Sequence, residues 1–233
     1  MLELSGQSKA LADMNDFHYK LITCKTVGEE LEELALEGIE TVFLEFGLHD
    51  YPQQLKKTLQ KEIDRTGEVD AILLGYGLCS MSTLGLSSPR SRLVVPRMHD
   101  CIGIFMGSGR EYLEQIRSEP GTYYLTKGWI NHGGDPYKEF LKWQKKYGAD
   151  KARLLLEKTI GNYTRLAFIQ TSKSEHTDDI KYARKVAQKL GLKFEKITGN
   201  RTIVKKLISG CWDDDFIIVE PGDKVSLDPF YQE

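Results

Sequence analysis

Two stretches, Ala71-Ile-Leu-Leu-Gly75-Tyr-Gly-Leu-Cys79 and Leu93-Val-Val-Pro96-Arg-Met-His-Asp-Cys101, decide how this chain reads. In each, a run of apolar residues with no polar alternation gives way to a loop holding Gly or Pro, and the loop holds a cysteine. Short unbroken apolar runs bounded by turn residues mark strands buried on both faces, which is the habit of parallel sheets. Working outward, Tyr19-Lys-Leu-Ile-Thr-Cys24 and Thr41-Val-Phe-Leu-Glu45 read as earlier strands, and Leu166–Gln170, Lys193–Ile197 and Phe216–Val219 as later ones. Between them lie amphipathic stretches. Tyr51–Thr66 carries Leu55, Leu59 and Ile63 at helical spacing, and Val27–Gly38, Pro136–Tyr147, Lys151–Thr159, Asp178–Leu190 and Thr202–Ile208 also read as helices, with shorter ones at Ile102–Gly107 and Glu111–Ser118. Alternating strands and helices predict an α/β fold, doubly wound, with a mainly parallel sheet and helices on both faces. Residues 1–17 read as a polar tail or helix. Residues 18–233 read as a single α/β domain, divisible into two similar lobes at 18–120 and 160–225 with a helical connector between.

Composition narrows the class. The chain has 233 residues with 32 Lys+Arg against 34 Asp+Glu, a net charge of −2, and it is 40% hydrophobic and 28% charged. Those values exclude a disordered chain or a coiled coil. A near-neutral surface argues against nucleic acid as partner. No apolar run approaches the length of a membrane span, and Met1–Phe17 lacks the apolar core of a signal peptide, so the expected location is the cytoplasm, with no membrane partner. In that compartment Cys24, Cys79, Cys101 and Cys211 are expected as thiols or metal ligands rather than disulfides.

Sites in open parallel sheets form beyond the carboxyl ends of the strands. Cys24 ends the first strand, and Cys79 and Cys101 follow the third and fourth. Parallel strands deliver those three loops to one edge, so three thiols converge there. Cys211, which precedes the last strand, is expected at the opposite edge. His99, two residues from Cys101, completes a candidate metal set of Cys24, Cys79, Cys101 and His99, whose softness suits zinc or an iron–sulfur cluster. Asp100 is placed to orient His99. Gly77 and Ser80 flank Cys79, Arg97 precedes His99, and His49 follows the second strand, so Gly77, Ser80, Arg97, Asp100 and His49 are candidate ligand-binding residues. Gly107-Ser-Gly109 before a helix offers backbone N–H groups to an anion, and Arg90 and Arg92 add positive charge. Cys residues are also common as small buried apolar groups, so the same positions fit a structural role. No dinucleotide, Walker or nucleophile-elbow motif is present.

At these residues the chain resembles domain-of-unknown-function family 1638 of archaea and anaerobic bacteria. The likeness rests on Ile22-Thr-Cys24, Leu48-His-Asp-Tyr-Pro52, Gly75-Tyr-Gly-Leu-Cys79, Pro96-Arg-Met-His-Asp-Cys101 through Gly107, Gly121-Thr-Tyr-Tyr-Leu-Thr126, Gly161-Asn-Tyr-Thr-Arg-Leu166 and Leu190-Gly-Leu-Lys-Phe-Glu195. It departs at Leu78-Cys79-Ser80, where other members carry Asp-Cys-Gly, and at His99-Asp-Cys101, where they carry adjacent His-Cys. The resemblance implies a soluble α/β protein associated with corrinoid-dependent methyl transfer in anaerobes, with Cys24, Cys79 and Cys101 shared and Cys211 not. The expectation is a metal-binding protein serving corrinoid-linked methyl transfer or one-carbon metabolism. Zinc or a [4Fe–4S] cluster with an open iron is its cofactor, and a small molecule or corrinoid its ligand. The rival expectation is a non-catalytic carrier or partner of a corrinoid methyltransferase protein.

Overall fold

A computed structural model describes residues 17–231 apart from 32, 33, 35, 37 and 173–176. Among the described residues eight strands form two sheets. The larger contains β1 (Tyr19–Cys24), β2 (Ile39–Leu44), β3 (Ala71–Gly75), β4 (Arg92–Pro96) and β8 (Phe216–Val219) in the order β2-β1-β3-β4-β8. The smaller contains β5 (Thr122–Leu125), β6 (Arg165–Gln170) and β7 (Lys193–Thr198) in that order. All pairings are parallel except β4 with β8. The expected α/β class, mainly parallel sheet and flanking helices are therefore present.

Strand periodicity explains the layering. Side chains alternate between faces of a sheet. Ala71 and Leu73 of β3 join one apolar cluster with Leu21 and Val94, while Ile72 and Leu74 join a second with Ile22, Leu93 and Val95. The first cluster continues into the smaller sheet through Leu166 and Phe168 and into the helices α3 (Cys101–Met106) and α9 (Thr202–Ser209). The second is closed by α2 (Pro52–Asp64), whose Leu55, Leu59 and Ile63 sit at spacings of four and are at most 2% exposed. Pro52 at its first turn suits that position because the missing N–H would have no helical partner there.

Two sequence expectations change. The helix expected over Val27–Gly38 is confined to α1 (Lys25–Gly28). Beyond it Glu30 N–H and Leu31 N–H bond three residues back, to Val27 and Gly28, so the chain tightens into turns. Its residues 32, 33, 35 and 37 lie outside the described ones, as does His176, expected from the sequence at the start of the Asp178–Leu190 helix. The aromatic stretch Thr122–Leu125, which is not among the strands expected from the sequence, is β5, and a short helix α5 (Lys127–His132) follows it. Tyr and Thr favour strands, and here β5 pairs in parallel with β6, Tyr123 beside Leu166 and Leu125 beside Phe168. The remaining helices are α4 (Gly109–Ser118), α6 (Pro136–Tyr147), α7 (Ala149–Ile160) and α8 (Thr177–Leu190), close to their expected bounds.

Polar ties link the layers. Glu30, 4% exposed, accepts from Arg201 Nε at 2.9 Å and Thr171 Oγ1 at 2.6 Å, joining the turn after α1 to the end of β6 and the start of α9. Asp135, fully buried, caps α6 by accepting from the N–H groups of Tyr137 and Lys138, and its other oxygen accepts a short bond from Tyr182 of α8.

Candidate functional site

The carboxyl edge of the larger sheet is where its two apolar clusters meet. Cys101 belongs to one cluster, Cys79 to the other, and Cys24 packs against both. All three line one small chamber of about 10 Å³, together with Tyr76, Trp129, Phe46 and His49. A space of this size accommodates about one water-sized particle.

Each cysteine is held by local backbone chemistry. Cys24 is the N-cap of α1, and its Sγ accepts the Val27 N–H at 3.4 Å. The β3 loop is tied to the β4 loop by Leu78 N–H to Met98 O at 2.8 Å and Cys79 N–H to His99 O at 3.0 Å. That approach requires Gly77, because a Cβ there would lie 2.3 Å from Met98 O. Cys79, Ser80 and Met81 then follow one another at φ of 45°, 54° and 65°. The left-handed region costs non-glycine residues about 1–2 kcal/mol each. The turn is held by Thr83 Oγ1 donating to Gly77 O at 3.0 Å and by Ser82 N–H donating to Cys79 O at 3.1 Å. Cys101 opens α3 behind the cap Asp100, whose Oδ1 accepts Ile102 N–H at 2.8 Å. Its Oδ2 accepts a short hydrogen bond from Tyr112.

Burial dominates the electrostatics. It pushes the Cys24, Cys79 and Cys101 thiols up. Asp100 and Cys24 push Cys79 further, and Cys79, Asp100 and Cys24 push Cys101 further. Tyr76 is raised by burial and then by all three cysteines. The thiols are thus near enough to feel one another's charge, and at neutral pH they are protonated. Around them stand side chains with no hydrogen-bond partner: the Tyr76 hydroxyl and the Trp129 Nε1–H, both on buried residues. Orphaned buried donors are uncommon and call for an acceptor. Among the described residues no set of three or more His, Cys, Asp or Glu side chains already stands in a metal-holding arrangement.

The other expected residues are placed as follows. His49 lines the chamber, its ring stacked on Phe46 at 5.7 Å. The His99 ring meets Tyr231 edge-on at 5.1 Å, away from the chamber lining. Ser80 is exposed, Gly77 is buried in the loop junction, and the Arg97 N–H donates to Asp215 O. Arg90 donates to Thr66 O, and Arg92 at the start of β4 faces Glu220, so both lie away from the thiols. Gly107 and Ser108 close α3 and cap α4 respectively. Cys211 is exposed and acts electrostatically on Tyr19, the first residue of β1. It is remote from the other thiols, but not for the expected reason. Because β8 is antiparallel, Phe216 pairs with Pro96 at the carboxyl edge, and it is the segment from Cys211 to Asp215 that spans the distance.

A larger pocket of about 400 Å³ adjoins the chamber and shares Phe46, His49, Cys101 and Trp129 with it. Its walls add Tyr112, Tyr123, Tyr124 and Tyr163, with Asp100 and Glu119. The sequence signal for it was the aromatic stretch Thr122-Tyr-Tyr-Leu-Thr-Lys-Gly-Trp129, which needed β5 beside the thiol loops to acquire meaning.

The family description "Protein of unknown function (DUF1638)" matches residues 43–208. The chain belongs to this family. Cys79, Cys101 and the lining of the aromatic pocket lie within the part of the DUF1638 protein that matches, whereas Cys24 and β8 lie outside it. No curated protein and no solved structure matches this DUF1638 chain. Among its described residues no helix is long and apolar enough to cross a membrane.

Proposed function

We propose that this DUF1638 protein binds one soft metal ion, zinc in the first instance, on the thiolates of Cys24, Cys79 and Cys101, with a fourth position facing the aromatic pocket. The observation that carries the reading is the convergence of three thiols from three strand ends on one chamber whose walls also hold the unpartnered Tyr76 hydroxyl and Trp129 N–H. Neutral thiols are poor acceptors for such donors, whereas metal-held thiolates are good ones, and donors of this kind tune a metal–sulfur site from outside its ligands. A bound cation also removes the penalty that keeps the buried thiols protonated. The Val27 N–H that Cys24 Sγ accepts is a further donor of this kind, and a metal-held thiolate can keep it. His49, on the shared wall, is nearer the place for a fourth ligand than His99. The size of the chamber favours a single ion over a [4Fe–4S] cluster.

An open zinc supplies a means of holding a substrate thiol as thiolate, the chemistry needed for methyl transfer to sulfur. A pocket of about 400 Å³ takes a small molecule, so a corrinoid protein would act as partner rather than its cofactor as occupant. The competing reading is a non-catalytic carrier in which the cysteines only pack. It is favoured by the lack of a ready metal set among the described residues.

Metal analysis of anaerobically purified protein, with the spectrum of the cobalt-substituted form, tests the proposal. One equivalent of metal with sulfur-to-cobalt charge-transfer bands is expected, lost in Cys24→Ser, Cys79→Ser and Cys101→Ser and kept in Cys211→Ser. Metal-free protein that takes up neither zinc nor cobalt would leave the packing reading standing. Four irons per chain would replace the ion by a cluster.

A further inference from the structure

We propose that the aromatic pocket beside Cys101 is a binding site for a small organic cation of the alkylammonium class. Aromatic faces carry negative potential and attract ammonium groups, most strongly when several rings enclose the cation out of water. Here Tyr123, Tyr124, Tyr163, Phe46 and Trp129 form the walls. Asp100 and Glu119 supply carboxylates at the lining, and among the described residues no Lys or Arg side chain lines it.

The charges behind the walls have the same sign. Asp135, Asp50 and Glu139 all act on Tyr123, and Asp100 acts on Tyr112 and Tyr124. The cation acting on Tyr124 is Arg165. Its guanidinium is committed to Glu195 at 2.8 Å, Gln115 at 3.0 Å and Thr122 at 2.8 Å, so its charge is already matched. An anionic ligand would meet two carboxylates at the lining, against which the described residues set His49, its ring stacked on Phe46. A neutral ligand would leave the carboxylates without use. Asp100 is itself anchored, since it caps α3 and accepts from Tyr112, so one carboxylate is held in place before any ligand arrives. The volume of about 400 Å³ lies in the usual range for small-molecule sites.

The inference does not rest on a metal, and its test is run on chelator-treated protein so that the two stand or fall separately. Calorimetric titration with tetramethylammonium and choline is compared with 3,3-dimethyl-1-butanol, the neutral isostere of choline, and with acetate. Choline is expected to bind about tenfold or more tightly than its isostere, with acetate not binding. Glu119→Gln, at an exposed wall position, is expected to weaken choline several-fold while leaving the circular dichroism and melting curve unchanged, and Tyr163→Leu, which gives up the edge contact with Tyr123, to weaken it several-fold with the circular dichroism unchanged. Equal affinity for choline and its isostere, preference for acetate, or no binding of either ammonium ion at tens of millimolar would overturn the proposal. Binding that neither substitution changes would overturn it too, by placing the cation elsewhere.

Discussion

The buried thiols make a specific demand on stability at alkaline pH. In the metal-free protein the folded-state pKa of Cys101 lies well above the ordinary value of 9.0, because burial and then Cys79, Asp100 and Cys24 disfavour the thiolate. Cys24 and Cys79 are raised as well, each first by burial. A proton held more tightly in the folded state contributes stability that is fully present below the unfolded pKa and is lost as pH rises above it. One pH unit above 9.0, each such thiol has removed about 1.4 kcal/mol, so the three together remove up to about 4 kcal/mol. Urea unfolding at pH 8, 9 and 10, under reducing conditions with chelator, measures the loss. Cys101→Ala deletes one of the three contributions, so its stability should fall by about 1.4 kcal/mol less between pH 8 and pH 10 than that of the unsubstituted protein. The lysines and tyrosines titrating in the same range are common to both proteins and cancel in the comparison. If the two proteins lose stability in parallel, Cys101 is not a buried thiol held neutral by its surroundings. Stoichiometric zinc should flatten the wild-type curve and leave the variant's nearly unaltered.

Phe168→Ala should cost about 3–5 kcal/mol in the same assay, since the ring is 1% exposed in the cluster joining the two sheets, and a cost under 1 kcal/mol would mean that the cluster is not packed. Gly77→Ala should cost about 2–4 kcal/mol and loosen the thiol chamber, because the new Cβ meets a backbone oxygen that cannot yield cheaply. Its near-wild-type stability would contradict the described junction of the β3 and β4 loops. Glu30→Gln should cost about 1.5–3 kcal/mol by replacing the buried carboxylate that accepts from Arg201 and Thr171, measurable by chemical denaturation in low and high salt. With a net charge of −2, filter binding at physiological salt should detect no sub-micromolar affinity for duplex DNA.

The sequence by itself determined the fold class, because unbroken apolar runs such as Ala71–Gly75 and Leu93–Pro96 can be satisfied only by burial on both faces, and the helical spacing of Leu55, Leu59 and Ile63 supplies a cover for one face. It also placed Cys24, Cys79 and Cys101 at one edge, since strand direction carries each following loop to the same side. It did not reveal that β8 runs antiparallel, because direction at a sheet edge depends on the course of the preceding chain, here from Cys211 to Asp215, and leaves no mark on the composition of a four-residue strand. Nor did it show that the helix begun at Lys25 stops at Gly28, where turns bring Glu30 to Arg201. The aromatic pocket was likewise decided only by tertiary structure. Tyr112, Tyr123, Tyr163 and Phe46 lie far apart in sequence, and only the packing of β5 and its neighbours against the thiol loops gathers their rings and the two carboxylates around one space.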